Sequence, residues 1–237
     1  MDSVKTWVRR HSLAALLSPD LLDALRPVRK GPGELIIRAG DPVRDLLFFV
    51  EGRIKIYYTL DNGERILAAI YRPFDVLGEL ELFAADRYAL SVEAMTESVC
   101  LALPVRAIRK NAERNHRLLM YLCGRLGAKL KDRMIAESIN LRYPVESRLA
   151  SYLQASVEGD GRILGTDHLG ELADFLGSSY RQLARVVRRF RDRGILDRTR
   201  GRIRVLDAAR LRSLARDLYV RSDGSMSPSL AVRTGGP

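Results

Sequence analysis

The spacing of apolar residues divides the chain. Between residues 31 and 103 they alternate with polar ones, as in RIKIYYTL, where Ile54, Ile56, Tyr58 and Leu60 share one face and Arg53, Lys55 and Tyr57 the other. That period of two predicts a half-buried strand. Asn62-Gly63 follows, then RILAAIY, and an Asn-Gly between two such runs predicts a hairpin because both residues tolerate positive φ. Gly33, Gly40, Gly52 and Gly78 punctuate further short runs, so this zone reads as a small antiparallel barrel or sandwich. SPDLLDALRPV before it predicts a short helix opened by Ser-Pro.

After Pro104 the period changes. NHRLLMYLCGRLGAKLKDRMIAESI has no proline and sets Leu119, Leu122, Leu126, Leu130 and Met134 three or four apart, the mark of a long helix. Leu118, Tyr121 and Cys123 make it apolar on more than one side, which predicts pairing with a second copy; an ordinary intramolecular helix is the alternative. Pro144 disfavours the α region at Tyr143 and ends the helix within Asn140 to Pro144.

Beyond it VESRLASYLQAS reads as a helix, and in TDHLGELADFLG the residues Leu169, Leu172, Ala173 and Leu176 repeat at i, i+3, i+4, i+7, with Thr166 or Asp167 available as cap. Gly177 turns the chain, and Leu183, Val186, Val187 and Phe190 of GSSYRQLARVVRRF repeat the same spacing. Ser179 and Gln182 form a capping box at its start. GILDRTRGRIRVL reads as a hairpin turning near Arg200-Gly201. Helix, tight turn, helix, hairpin is a winged helix-turn-helix, and the polar tail from Arg221 reads as disordered. The chain is thus α+β, in four segments: 1–103, 104–140, 141–220 and 221–237.

Composition sharpens this picture at one place. The net charge is +11 with a pI of about 10.0, which suits a polyanionic partner. On the second helix of the turn motif Arg181, Arg185 and Arg188 project opposite the apolar stripe, Arg189 adds to them, and Arg198, Arg200, Arg202 and Arg204 follow on the hairpin. Arginine bonds both O6 and N7 of guanine, and Tyr180 and Gln182 add donors in the first turn. Ser178 and Ser179 at the helix start suit a phosphate. A solvated basic face without a partner is the alternative. No run approaches a membrane span and the start lacks a signal-peptide centre, which points to the cytoplasm. Cys100 and Cys123 stand in apolar settings and suit packing. With His11, His116 and His168 they show no metal-ligand spacing, and no nucleophile elbow or P-loop occurs, so an enzyme is not expected.

GELIIRAGD, LLFFVEGRIKIYY, VLGELELF, CLALP and LADFLGSSYRQLARVV together resemble the family of the cyclic-AMP receptor protein and the fumarate and nitrate reduction regulator (CRP/FNR), most of all its YeiL-type members. The resemblance implies a cyclic-nucleotide-binding-like β-roll (a double-stranded β-helix) as effector domain, a dimerisation helix and a winged DNA-binding domain. It implies a homodimeric transcription regulator on palindromic double-stranded DNA, with half-sites about one turn apart, and RNA polymerase as a further partner. Leu119, Leu122, Cys123, Leu126 and Leu130 would then carry dimerisation, and Gly78, Glu79, Leu80, Arg87, Tyr88, Ala89, Arg133 and Met134 would line the effector pocket.

Departures from the family pattern carry information. Gly78 and Glu79 match the ribose-binding Gly-Glu, but Tyr88 and Ala89 stand where cyclic-AMP-binding members have the phosphate-binding Arg-Ser. Arg87 sits one residue early, which on a strand turns it to the other face. Arg133 and Met134 replace the Thr-Ser that caps the adenine. The N-terminal cysteine group of the oxygen-sensing relatives is missing. These departures speak against cyclic AMP, haem and an iron–sulfur cluster. On the recognition helix Tyr180 and Arg181 replace the family's Arg-Glu while Arg185 matches its second arginine, so the DNA site should differ. The competing function is a nucleotide-binding regulatory module acting on a partner protein, which would need a phosphate arginine and no wing.

Overall fold

The computed structural model describes residues 3–63, 65–110, 115–156, 162–163, 169–199, 202–216 and 218, with the side chains at 155, 156, 162, 163 and 202 excepted. The expected cap at Thr166 or Asp167, Arg200-Gly201, His168 and the tail from Arg221 lie outside these residues. Two compact units divide the chain, 1–129 and 130–237.

In the first unit two four-stranded antiparallel sheets face each other. One orders β1 (Arg26–Lys30), β8 (Ser98–Pro104), β3 (Asp45–Glu51) and β6 (Asp75–Leu77); the other orders β2 (Leu35–Ile37), β7 (Ser91–Ala94), β4 (Ile54–Thr59) and β5 (Arg65–Tyr71). β3 reads LLFFV without alternation because both its faces are covered. Leu47 and Phe49 join Ile54, Ile56, Val92, Cys100 and Ala102 between the sheets. Phe48 and Val50 pack outward with Leu101 and Leu103 against Trp7, Leu13, Leu21, Ile108, Leu118 and Leu122. These come from α1 (Val4–Arg10), a helical turn at Leu13–Ala15, α2 (Pro19–Asp23), α4 (Val105–Lys110) and the first part of α5 (His116–Arg142). Ser18 precedes Pro19 at the start of α2, as its Ser-Pro predicts.

The alternation expected along β4 holds only to Ile56. β5 carries one extra residue, Ala68, opposite the step from Ile56 to Tyr57, and from there Tyr57 is buried while Tyr58 and Leu60 are each 42% exposed. The extra residue bends and twists the ladder locally.

His11 stacks on Phe74 with ring centroids 4.7 Å apart, and its Nε2 is buried without a hydrogen-bond partner. Burial of the imidazole, with Arg10 beside it, outweighs its hydrogen bond to the Val50 carbonyl and holds its pKa below the ordinary histidine value. A base with a depressed folded-state pKa favours folding while neutral; that contribution is present above about pH 6.5 and is lost as acid protonates the ring. Docking of α1 should therefore loosen as pH falls below about 6.5. Trp7, the chain's single tryptophan and 1% exposed, reports it by a red-shifted emission that His11→Phe should abolish. An identical acid profile in the variant would remove His11 from the explanation.

In the second unit α6 (Val145–Ser156), α7 (Leu169–Phe175), α8 (Tyr180–Asp192) and α9 (Ala208–Leu214) enclose one core with β10 (Leu196–Thr199) and β11 (Arg202–Val205). β11 also pairs with β9 (Arg162–Ile163), a third strand that the sequence did not announce. α5 runs on to Arg142, two residues past the start of the expected break, and stops one residue before Tyr143.

Candidate nucleic-acid interface

Leu169, Leu172, Ala173 and Leu176 of the first stripe and Leu183, Val186, Val187 and Phe190 of the second are all buried in the same core. The two stripes therefore face each other across one turn, which fixes the outward direction of α8. Gly177 makes that turn with φ +57, and a Cβ there would stand 2.5 Å from the Asn140 Nδ2. Arg148, 5% exposed, donates from Nη1 to the Asn140 Oδ1 at 3.0 Å, to the Leu176 carbonyl, and to the Gly177 carbonyl at 3.3 Å. α8 then starts with a complete capping box: the Gln182 amide donates to Ser179 Oγ at 3.2 Å, and Gln182 Oε1 accepts from the Ser179 amide at 3.4 Å.

The arginines of α8 fall into two sets. Arg181, Arg185 and Arg188 are exposed and have no partner among the described residues, beside Tyr180 at 57% exposure. Arg189 instead pairs with Glu146 at 3.6 Å and Arg191 with Asp192 at 3.3 Å, and Arg193, just past α8, pairs with the same Glu146 carboxylate at 3.4 Å, tying the end of α8 to α6. Ser179 is exposed, with its Oγ accepting from the Gln182 amide and its hydroxyl hydrogen left free among the described residues, whereas Ser178 Oγ is shielded from solvent. On the wing Arg198 and Arg204 are exposed, and the Arg202 side chain lies outside the described ones. A helix presenting three unpaired guanidinium groups beside a basic ribbon is the arrangement that reads a major groove and holds its backbone.

The barrel presents a different chemistry. Gly78 (φ +86) precedes α3 (Glu79–Ala84), Glu79 is 4% exposed, and Leu80 is 51% exposed. Glu79 Oε1 lies 2.5 Å from Lys129 Nζ, which also donates to the Val76 carbonyl at 2.6 Å and lies 3.2 Å from Asp75. Arg125 bonds Asp75 at 2.8 Å, and the Lys129 ammonium stands over the Tyr71 ring at 5.2 Å. Burial works against the Lys129 charge, but Asp75 and Glu79 outweigh it and hold its pKa above the ordinary lysine value. Tyr88 is buried, with its hydroxyl donating to the Asp45 carbonyl at 2.7 Å. Arg87 is exposed and bonds the Gly40 carbonyl at 2.7 Å, while Ala89 is exposed and donates its amide to Glu81. Glu81 is 7% exposed and held by that bond. Arg133 and Met134 belong to the second unit, where Arg133 pairs with Glu137 at 3.4 Å and Met134 is 61% exposed.

Residues 27–115 match the model of the cyclic nucleotide-binding domain, and residues 116–214 match that of the Crp-like helix-turn-helix domain. The regulatory protein YeiL of Escherichia coli is 29% identical over 185 residues, 78% of this chain and 83% of that protein. The chain belongs to the CRP/FNR family of transcription regulators. The transcriptional activator protein anr of Pseudomonas aeruginosa is 24% identical over 198 residues, 80% of each chain. TTHB099, a regulator of the CRP family from Thermus thermophilus, shares the fold at a TM-score of 0.66, with 24% identity and coverage of 79% of this chain and 95% of its own. This CRP/FNR member is accordingly a regulator carrying a DNA-binding helix-turn-helix, not an enzyme, and among the described residues no helix is long and apolar enough to cross a membrane.

α5 of this regulator serves both units. Leu122 is fully buried in the first unit's own core, which leaves Leu119, Cys123, Leu126 and Leu130 of the five expected dimer positions free of that role. Burial pushes the Cys100 thiol up to about 12, so it stays protonated at neutral pH and acts as a packing group. Sequence reading missed Asp75, Arg125, Lys129, Asn140 and Arg148. One signal was present: Arg125 and Lys129 continue the buried stripe of Leu118 and Leu122 at i+3 and i+4, and cations on an apolar stripe call for buried acids.

Proposed function

We propose that this regulator acts as a homodimer on a palindromic DNA site, with Arg181, Arg185 and Arg188 at base edges and the wing arginines on the backbone. The observation that carries the reading is that these three guanidinium groups are exposed and without a partner among the described residues, while their neighbours Arg189 and Arg193 share the Glu146 carboxylate. A charge meant only for solubility would not be sorted in this way. Dimerisation is supported by α5, which leaves Met120 70%, Leu130 64% and Leu141 90% exposed. The effector is other than cyclic AMP: Glu79 is held by Lys129 inside the protein, and Tyr88 fills the barrel where the resemblance places a phosphate arginine. Effector state sets DNA affinity, and contact with RNA polymerase converts binding into regulation.

Selection from randomised duplex DNA at two salt concentrations tests this, with sedimentation for the dimer. A palindrome should emerge whose half-sites lie about one helical turn apart. On that site Arg185→Ala should weaken binding by about 1–3 kcal/mol and relax one base position, whereas Arg204→Ala should weaken all sequences alike and flatten the salt slope. Equal losses on every sequence would remove base reading by Arg185.

A further inference from the structure

A cleft of about 400 Å³ opens at the end of the barrel formed by β1, β2 and β3, and Glu79 does not line it. Its floor is apolar: Val28, Ile37 and Leu47 line it with the Tyr88 ring. Arg38 and Arg44 stand at its mouth, both exposed and without a partner among the described residues. Two carboxylates share the mouth. Asp45 is neutralised by Arg26 at 2.5 Å, which leaves Asp41 against two guanidinium groups and one positive charge over. Arg87 is bonded to the Gly40 carbonyl and does not line the cleft.

We infer that this cleft binds an organic monocarboxylate with an apolar body. Clefts of this size take small ligands, with an apolar wall supplying affinity and a few charged groups supplying orientation. The guanidinium fork matches a carboxylate bidentately, and the single excess charge suits a monoanion better than a nucleotide phosphate. Tyr88 gives the site a way to act. Its ring is a wall of the cleft, it stands 3.2 Å from where a Cβ on Gly78 would be, and its hydroxyl is held by the Asp45 carbonyl at the rim, with the Arg44 backbone beside it. A ligand that displaces that hydroxyl moves the ring against the start of α3, whose Glu79 holds Lys129 on α5.

The inference rests on the reading of the barrel as a sensor, and calorimetry without DNA separates the two. The full chain is titrated with octanoate and phenylacetate, and with octanamide and inorganic phosphate as the neutral and the non-apolar comparison. At least one carboxylate should bind, octanamide at least tenfold more weakly than octanoate, and phosphate not detectably. The double variant Arg38→Gln, Arg44→Gln, checked for an unchanged circular dichroism spectrum, should lose at least tenfold in carboxylate affinity. Silence from both carboxylates, equal binding of the amide, or undiminished binding by the double variant each overturns the site. Binding that leaves the affinity for the selected DNA unchanged overturns the gating while the site stands.

Discussion

Replacing Lys129 by methionine is expected to destabilise the first unit by about 3 kcal/mol. The ammonium lies among Glu79, Asp75 and the Val76 carbonyl, with 21% of its side chain exposed, while the two acids are 4% and 5% exposed. Methionine fills the volume but leaves the Glu79 carboxylate buried without its cation, and an uncompensated buried charge is what makes such a break costly. Asp75 keeps Arg125, so the loss falls short of dismantling the whole cluster. Pairing the change with Glu79→Leu should recover most of the stability, because a buried ion pair and a well-packed apolar pair are close in free energy. Urea unfolding followed by Trp7 emission reads this unit alone. The lysine's raised pKa means its contribution is complete below about pH 10 and lost only above that, so the difference between variant and wild type should be flat from pH 6 to 9. A single variant within 0.5 kcal/mol of wild type, where ordinary surface substitutions fall, would show a solvent-screened pair.

Replacing Arg148 by methionine should cost the second unit about 3 kcal/mol and depress DNA affinity on every sequence. Its guanidinium satisfies the carbonyls of Leu176 and Gly177, the residues that turn α7 into α8, and binds the Asn140 side chain against which Gly177 packs. Each buried acceptor left unsatisfied costs roughly 1–3 kcal/mol. The outcome differs from that of Arg185→Ala, which relaxes one base position and leaves stability unchanged. Calorimetric unfolding should show the second unit melting early while the Trp7 transition stays in place, since Trp7 belongs to the other core. Arg148→Lys should recover only part of the loss, because an ammonium cannot reproduce the planar fork. Unchanged unfolding would mean that water satisfies the turn.

Much of this protein was legible along the chain because the governing forces are local. The stripes of α7 and α8, the Ser179–Gln182 box and the α6 span follow from helical period and capping, which depend on residues within one or two turns of each other. The outward arginines of α8 follow from the same period, since burying Leu183, Val186, Val187 and Phe190 leaves Arg181, Arg185 and Arg188 no other side. What the chain folded in space alone decided is partnership between distant residues. Arg125 and Lys129 stand on an apolar stripe whose acids cannot be named until Asp75 and Glu79, fifty positions away, are brought beneath them. Glu146 takes Arg189 and Arg193 out of the basic face across more than forty residues. Tyr88 reads as a substitution in a motif and becomes a wall of the barrel, and Tyr57 is buried against the alternation around it, beside a bulge in β5. Period and capping are written in neighbouring residues, whereas charge pairing, strand register and cavity shape are set by which surfaces meet, and that is fixed only when the core closes.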